Sequence, residues 1–254
     1  MVYYFRHPDL VLPDDNSVIW RYMDFPKFQS MLQRGSIFFS RADKQTDKLE
    51  AEYPNGMLDE LEKRWGIVES DDGASYTFAQ WHAQKEIPSR LLSCWSVSLN
   101  ESRKMWSAYT TTVESIAIRS TIERLKGCFV LRRHGEPVVW IGKIRYGDDE
   151  SRLPNSFYNW NTNYFLYPFF AKKEDLRWEN EVRGTVNISR KKQLRLNHSP
   201  NGCFIKADLH MLIDSIWIHP QATEDFRHRV GSMFVDSAYN EIPICQSSWE
   251  SVAE

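Results

Sequence analysis

A chain of 254 residues, 42% hydrophobic and 26% charged with a net charge of −2, is long enough to bury a substantial core and has the balance of a globular protein. Near-neutral charge excludes a broad electrostatic grip on nucleic acid or an anionic membrane, and no apolar run approaches the ~20 residues needed to span a bilayer. Ten tryptophans, eleven tyrosines and fourteen phenylalanines fit either a thick core or a ring-lined cleft. The opening "MVYYFRHPDLVLPDD" lacks a basic segment followed by an apolar run, so no signal peptide is expected. Cys94, Cys128, Cys203 and Cys245 lie far apart without a CxxC pair and read as reduced thiols of a cytoplasmic protein.

In chain order, Val18–Tyr22 predicts a short strand, followed by a helix with Phe25, Phe28, Met31 and Leu32 on one face. Gly35 stands where a helix stops, and Ser36–Ser40 predicts a second strand. Tyr53, Met57, Leu61 and Trp65 recur at four-residue steps, so Glu52–Trp65 predicts an amphipathic helix. "ESDDGASYT" is a polar break, and a further helix is expected over Thr77–Gln84. Arg90–Ser98 reads as a buried strand, and "NESRKMWSAYTT" as a short helix with Trp106 and Tyr109 facing the same way. "SIAIRS" alternates like a strand and "STIERL" reads as a helical turn. "GCFVLRRHGEPVVWIGKIRYGDD" predicts a hairpin turning at His134-Gly135. "FYNWNTNYFLYPFFAKKEDL" reads as loop and helix. Arg177–Ser189 and Asp208–Pro220 predict strands. A last helix carries Phe226, Val230, Met233 and Phe234, with Thr223 as its cap. No repeat, linker or change of composition divides the chain. One α+β domain over 1–254 is expected, with a curved, mostly antiparallel sheet flanked by helices.

"RWENEVRGTV" (Arg177–Val186) is the sharpest chemical feature. On a strand, Glu179, Glu181 and Arg183 share one face, with the carboxylates roughly 7 Å apart at Cα. Each carboxylate would raise the other's pKa if water were excluded, and Arg183 would neutralise or orient Glu181. The plainer reading is a solvated face with a Glu–Arg neighbour pair. "SCWS" sets Ser93 and Ser96 around Trp95, near the Trp106–Tyr109 face, a combination suited to a flat ligand. Arg21 is a candidate anion-binding group. Asp43, Asp47 and Glu50 would suit a metal through oxygen ligands, or simply make turns and a helix cap. The basic run Ser189–His198 reads as a solvated edge or a phosphate contact. No HExxH spacing, phosphate-cradling glycine loop or GxSxG elbow is present.

The ordered blocks "WRYMDFPKFQSMLQRGSIFFSRADKQTDKLE", "SCWSVSLNESRKMWSAYTTTVESIAIRS", "KIRYGDD", "FFAKKEDLRWENEVRGTV" and "SIWIHP" resemble a bacterial family known as domain of unknown function 2971. The resemblance implies a family-like core over about residues 18–236 and a tail over 237–254. More distantly, the early strand–helix–strand unit and the late glutamate resemble mono-ADP-ribosyltransferases. That resemblance implies a split sheet, NAD as substrate, no metal, and a protein or nucleic-acid acceptor away from any membrane. By the same resemblance Glu181 is the catalytic glutamate and Glu179 the general base. Arg21, with neighbouring Tyr22, would hold the pyrophosphate, and Ser93 or Ser96 would supply the middle-strand hydroxyl. Trp95, Trp106 or Tyr109 would stack on a ring, and Arg183 would orient the glutamates. Such an enzyme would act as a toxin or phage-defence effector. Two other readings stay open: a metal-dependent hydrolase or nuclease using Asp47, Glu50, Glu179 and Glu181, and a non-catalytic partner-binding module.

Overall fold

Strand β1 (Val18–Asp24) feeds straight into helix α1 (Phe25–Arg34), which ends where Gly35 turns left-handed at φ 52° and donates its N–H to the carbonyls of Leu32 and Met31. Strand β2 (Ser36–Arg41) follows, so the opening unit forms as the sequence predicts. The structure is a computed structural model describing residues 3–8, 10–45, 51–53, 57–70, 73–129, 138–147, 164–189, 198–235 and 237–247. Further along come helix α2 (Met57–Trp65), strand β3 (Arg90–Val97), helix α3 (Arg103–Tyr109), strand β4 (Ser115–Thr121) and helix α4 (Ile122–Gly127). Strands β5 (Val138–Lys143), β6 (Glu181–Asn187), β7 (Gly202–Lys206) and β8 (Ser215–Ile218) precede helix α5 (Glu224–Val235) and strand β9 (Ile244–Gln246).

These strands join in one eleven-stranded, mostly antiparallel sheet. Its long path runs from the two-residue strand Tyr3–Tyr4 through β5, β6, β3, β1, β4 and β8 to β9. The two ends of this path are parallel pairs. One edge of β3 is fully paired with β6, Glu181 opposite Ser96 and Asn187 opposite Arg90. The other edge is shared. Its end pairs with β1 at Ile19↔Val97 and Trp20↔Ser96, while its beginning pairs with β2 at Ser40↔Leu92 and Arg41↔Leu91. Between them, Ser93–Trp95 has no strand partner on that side among the described residues, so the sheet is split there.

On one face, Ile19, Trp95, Ile116, Ile118 and Val182 pack against α1 and α5. Phe25 meets Phe226 edge-on at 5.0 Å, and Phe28 lies parallel to Phe234 at 6.1 Å. The opposite face carries two smaller apolar clusters. Trp20 and Tyr22 pack with Met105 and Trp106 of α3, while Leu92 packs near Ile144, Phe169 and Phe170. Alternation along β3 and β6 sends Leu91, Trp95, Val182 and Val186 to the main core and leaves the intervening side chains for the other face.

Several expectations change. Arg177–Ser189 is not one strand: a 3₁₀ helix spans Glu174–Glu179, Asn180 is left-handed at φ 40°, and β6 begins at Glu181. Asparagine tolerates that conformation, and its Nδ2 donates to the Val97 carbonyl at 2.6 Å, pinning the turn against β3. Asp208–Pro220 divides into a short helix, Leu209–Leu212, capped by Asp208, and β8. The helix expected over Thr77–Gln84 starts with a Thr77–Gln80 capping box and continues, through a π-helical stretch, to Ser89. The polar break closes a small hairpin of Ile67–Glu69 with Ser75–Thr77. Of the helix expected over Glu52–Trp65, Met57–Trp65 is helical and Glu52 and Tyr53 are not. The His134-Gly135 turn and nearly all of the basic run lie outside the described residues. Among the described residues, no helix is long and apolar enough to cross a membrane.

Gly202, where β7 meets β2, has no room for a side chain: a Cβ would lie 2.1 Å from the Phe39 carbonyl oxygen. Gly231, inside α5, has nothing within 4 Å. Urea unfolding is expected to show Gly202→Ala destabilised by about 1–3 kcal/mol and Gly231→Ala stabilised by about 0.5–1 kcal/mol.

Candidate functional site

Arg21 occupies the split in the sheet. From β1 its Nη1 donates to Ser93 Oγ on β3 and its Nη2 to the Phe38 carbonyl on β2, each at 2.9 Å. The guanidinium lies 5.6 Å from the centre of the Trp95 ring, and Trp95 Nε1 donates to the same Ser93 oxygen at 3.2 Å. One cation therefore ties together the three strands that diverge here. Burial lowers its pKa to about 10, which leaves it charged at neutral pH.

Across β3, the stretch that looked like a charge ladder forms a buried ion cluster. Glu179, Glu181 and Arg183 are 6%, 3% and 0% exposed, so the solvated-face reading is overturned. Glu179 ends the 3₁₀ helix and Glu181 starts β6, with Asn180 turning the chain between them. The bridging group is Lys172, on a two-residue strand (Ala171–Lys172) parallel to Arg145–Tyr146. Its Nζ lies 2.6 Å from Glu179 Oε2 and 2.8 Å from Glu181 Oε2. Arg183 Nε donates to Glu181 Oε1 at 2.7 Å, and its Nη1 to the Phe169 carbonyl at 2.8 Å. Tyr109 Oη donates to Glu179 Oε1 at 2.6 Å, and the Glu181 N–H donates to Tyr146 Oη at 2.8 Å.

Two carboxylates and two cations balance, as burial of charge demands. For Glu181, burial alone would raise the pKa, but Arg183 and Lys172 outweigh it and hold the carboxyl at about 2. The expectation that the paired glutamates would raise one another thus fails for Glu181, because a cation sits between them. Lys172 is also 2.8 Å from Glu181 Oε2, and a side-chain hydrogen bond from Cys94 adds to the pull that keeps the carboxylate ionised.

A cavity of about 960 Å³ opens over this cluster and the sheet split. Arg21, Tyr22, Trp95 and Ser96 line it together with Tyr109, Glu179 and Glu181. Ser93, Trp106 and Arg183 do not reach it. Ser93 faces the core and serves Arg21. Trp106 is fully buried, with Nε1 donating to Glu101 Oε2 at 2.9 Å, so it has no face to offer a ligand. Arg183 acts from behind Glu181 instead of touching the cavity. Ser96 lines the wall, but its hydroxyl donates to the Glu179 carbonyl at 2.8 Å.

Three cavity residues went unrecognised in the sequence. Lys172 stands in an ordinary-looking Lys-Lys pair, and nothing in the spacing marks it as the ion that Glu179 and Glu181 share. Cys94, half-buried in the wall, is adjacent in sequence to the serines that were noticed. Trp178, beneath the Lys104 ammonium at 4.2 Å, lies within the opening motif itself. For the metal reading, Asp47 and Glu50 lie outside the described residues, and Asp43 is paired with Arg41. Among the described residues no group of three or more His, Cys, Asp or Glu could hold a metal ion.

No family model matches the chain and no curated protein matches it, so the resemblance to domain of unknown function 2971 has no family match behind it. Among solved structures, the chain is similar to DarT of Thermus sp. 2.9 in complex with ADP-ribosylated ssDNA, at 12% identity over 96% of this chain and 99% of that one, with a TM-score of 0.39. The same protein in complex with NAD+ is matched at 11% identity over 95% of this chain and 100% of that one, also at 0.39. Its complex with carba-NAD+ gives 10% identity over 95% and 100%, at 0.38. Scores this low decide neither the fold nor the activity, which rest on this chain's own side chains.

Because the folded-state pKa of Glu181 is depressed from 4.5 to about 2, its ionised form stabilises the fold above pH 4.5, and that contribution is lost as pH falls toward 2. Glu181→Gln leaves the buried Arg183 facing a neutral amide. The variant is expected to be about 3–5 kcal/mol less stable at pH 7. Urea unfolding across a pH series should show the gap between wild type and variant narrowing below pH 4.5.

Proposed function

We propose that this chain breaks the nicotinamide–ribose bond of NAD and passes ADP-ribose to an acceptor, or to water. It would then be an ADP-ribosyltransferase or an NAD glycohydrolase. The reading is carried by Glu181, a buried carboxylate kept ionised by Arg183 and Lys172. That carboxylate lies in the wall of the cavity that also holds Arg21.

Cleavage sends the bonding electron pair to the departing nicotinamide and leaves positive charge on the ribose, as in glycoside hydrolysis. Glu181 sets a fixed negative charge beside the carbon that becomes cationic. Such preorganised charge is worth far more in a water-poor wall than in bulk solvent. Arg183 and Lys172 fix the carboxylate in place, so little reorganisation accompanies the reaction. Arg21 spends part of its donor capacity on Ser93 and Phe38. Its remaining N–H groups suit the pyrophosphate. Tyr109 and Trp178, both partly exposed in the cavity wall, offer rings for stacking, a role that the buried Trp106 does not fill.

Purified protein is expected to release nicotinamide from NAD, quantified by chromatography. Glu181→Gln, assayed below its melting temperature, should lose at least about 100-fold in kcat, and Arg21→Ala should mainly raise KM. Absence of both NAD binding and nicotinamide release in the wild type would end the reading.

A further inference from the structure

Glu179 was expected to serve as the general base, yet its carboxylate has no free oxygen. Oε1 accepts from Tyr109 Oη at 2.6 Å and Oε2 from Lys172 Nζ at 2.6 Å, and the residue is 6% exposed. A nucleophile in the cavity meets Tyr109 first. That side chain lines the cavity and is 37% exposed. Its hydroxyl proton is committed to Glu179, which leaves its oxygen lone pairs to accept a proton from the cavity side.

The placement of Tyr109 is not loose. Helix α3 is capped by Ser102, whose Oγ accepts from the Met105 N–H. It is anchored by the buried Trp106 through its bond to Glu101. Tyr109, three residues after Trp106, is thereby carried across to the end of the 3₁₀ helix. Its reach to Glu179 spans 70 residues of sequence.

We infer that Tyr109 is a catalytic proton relay, standing between the acceptor and Glu179. As the acceptor oxygen bonds to the ribose carbon, its proton passes to Tyr109 Oη while the Tyr109 proton passes to Glu179 Oε1. One acceptor O–H bond and one phenol O–H bond break. A new phenol O–H bond and a carboxyl O–H bond form, so the tyrosine ends neutral and Glu179 holds the proton. The two transfers occur together. Burial and the bond to Glu179 raise the phenol's pKa well above its ordinary value, against the opposing pull of Lys172, so a free phenolate is not an intermediate at neutral pH. Glu181 takes no part in this transfer; it faces the developing ribose charge. The assignment rests on the NAD reading above, and it splits the two glutamates into separate tasks.

The test is nicotinamide release from NAD by the full chain, with water as acceptor and with azide added. Azide attacks as an anion and has no proton to surrender. Tyr109→Phe and Glu179→Gln are each expected to lose about 100-fold in kcat in water while keeping KM. Azide should restore release in both, with ADP-ribosyl azide visible by mass spectrometry, and should not restore it in Glu181→Gln. Matching melting curves for wild type and Tyr109→Phe keep a folding defect separate. A Tyr109→Phe variant that hydrolyses NAD at the wild-type rate overturns the relay, as does a slow variant that azide fails to rescue. A wild type that releases no nicotinamide overturns the NAD reading and the relay together, whereas an active wild type with an unimpaired Tyr109→Phe overturns the relay alone.

Discussion

Two carboxylates and two cations share one nearly dry pocket beside β6, and neither pair would be tolerable there without the other. Charges removed from water need compensation in good geometry, and here it comes from four separate positions along the chain. Lys172 is drawn in by its short parallel pairing with Arg145–Tyr146. Glu179 ends a 3₁₀ helix, while Glu181 and Arg183 sit two apart on a strand. The left-handed Asn180 lets two glutamates from different elements address the same ammonium. Tyr146 and the Phe169 carbonyl take up donors that would otherwise be stranded. Such an arrangement is costly to build merely for stability, since apolar side chains of similar size would fill the space at less risk. Its yield is a carboxylate held ionised between two cations in a cavity wall.

The second organising feature is the interruption in the sheet. Where β1 and β2 part beside Ser93–Trp95, a side chain bridges the strands. Arg21 reaches from β1 to bond Ser93 on β3 and the Phe38 carbonyl on β2. It does so while keeping N–H groups for the cavity. The same guanidinium therefore closes a structural gap and supplies positive charge to the site. A lysine could not do both, because it lacks the planar fork that spans two acceptors. Arg21 on one side of β3 and Glu181 on the other thus face a common space, their separation set by the pairing of β1 and β6 with the strand between them.

Position relative to the cavity separates the aromatic residues into two groups. Trp106, wedged between Tyr22 and His219 at ring distances of 5.0 Å, works as core and anchors α3. Tyr109, one helical turn on, and Trp178, under Lys104, keep part of their surface in the cavity. Spacing on a helix placed Trp106 and Tyr109 on the same side. It could not distinguish the residue that supports the wall from the one that forms it, because that depends on what packs behind.

Much of the framework was legible in the residues alone. Apolar runs marked β1, β2 and β3, alternation marked β4, and Gly35 and Thr223 marked helix ends through their own backbone or hydroxyl chemistry. These signals are local, set by steric preference and by side chains that bond within a few residues. The pairing of Glu179 with Glu181 was also visible, as were Arg21 and the serine-tryptophan block. What the sequence could not reveal was that a lysine seven residues before Glu179 would stand between the two carboxylates, or that Asn180 would turn the chain so that only one of them lies on a strand. Nor could it separate Ser93 from Ser96, or a solvated charge ladder from a buried one. Those outcomes depend on which side chains meet in space, Lys172 with Glu179 as much as Tyr109 with Glu179, and on how much water remains between them, and only the packed fold determines that.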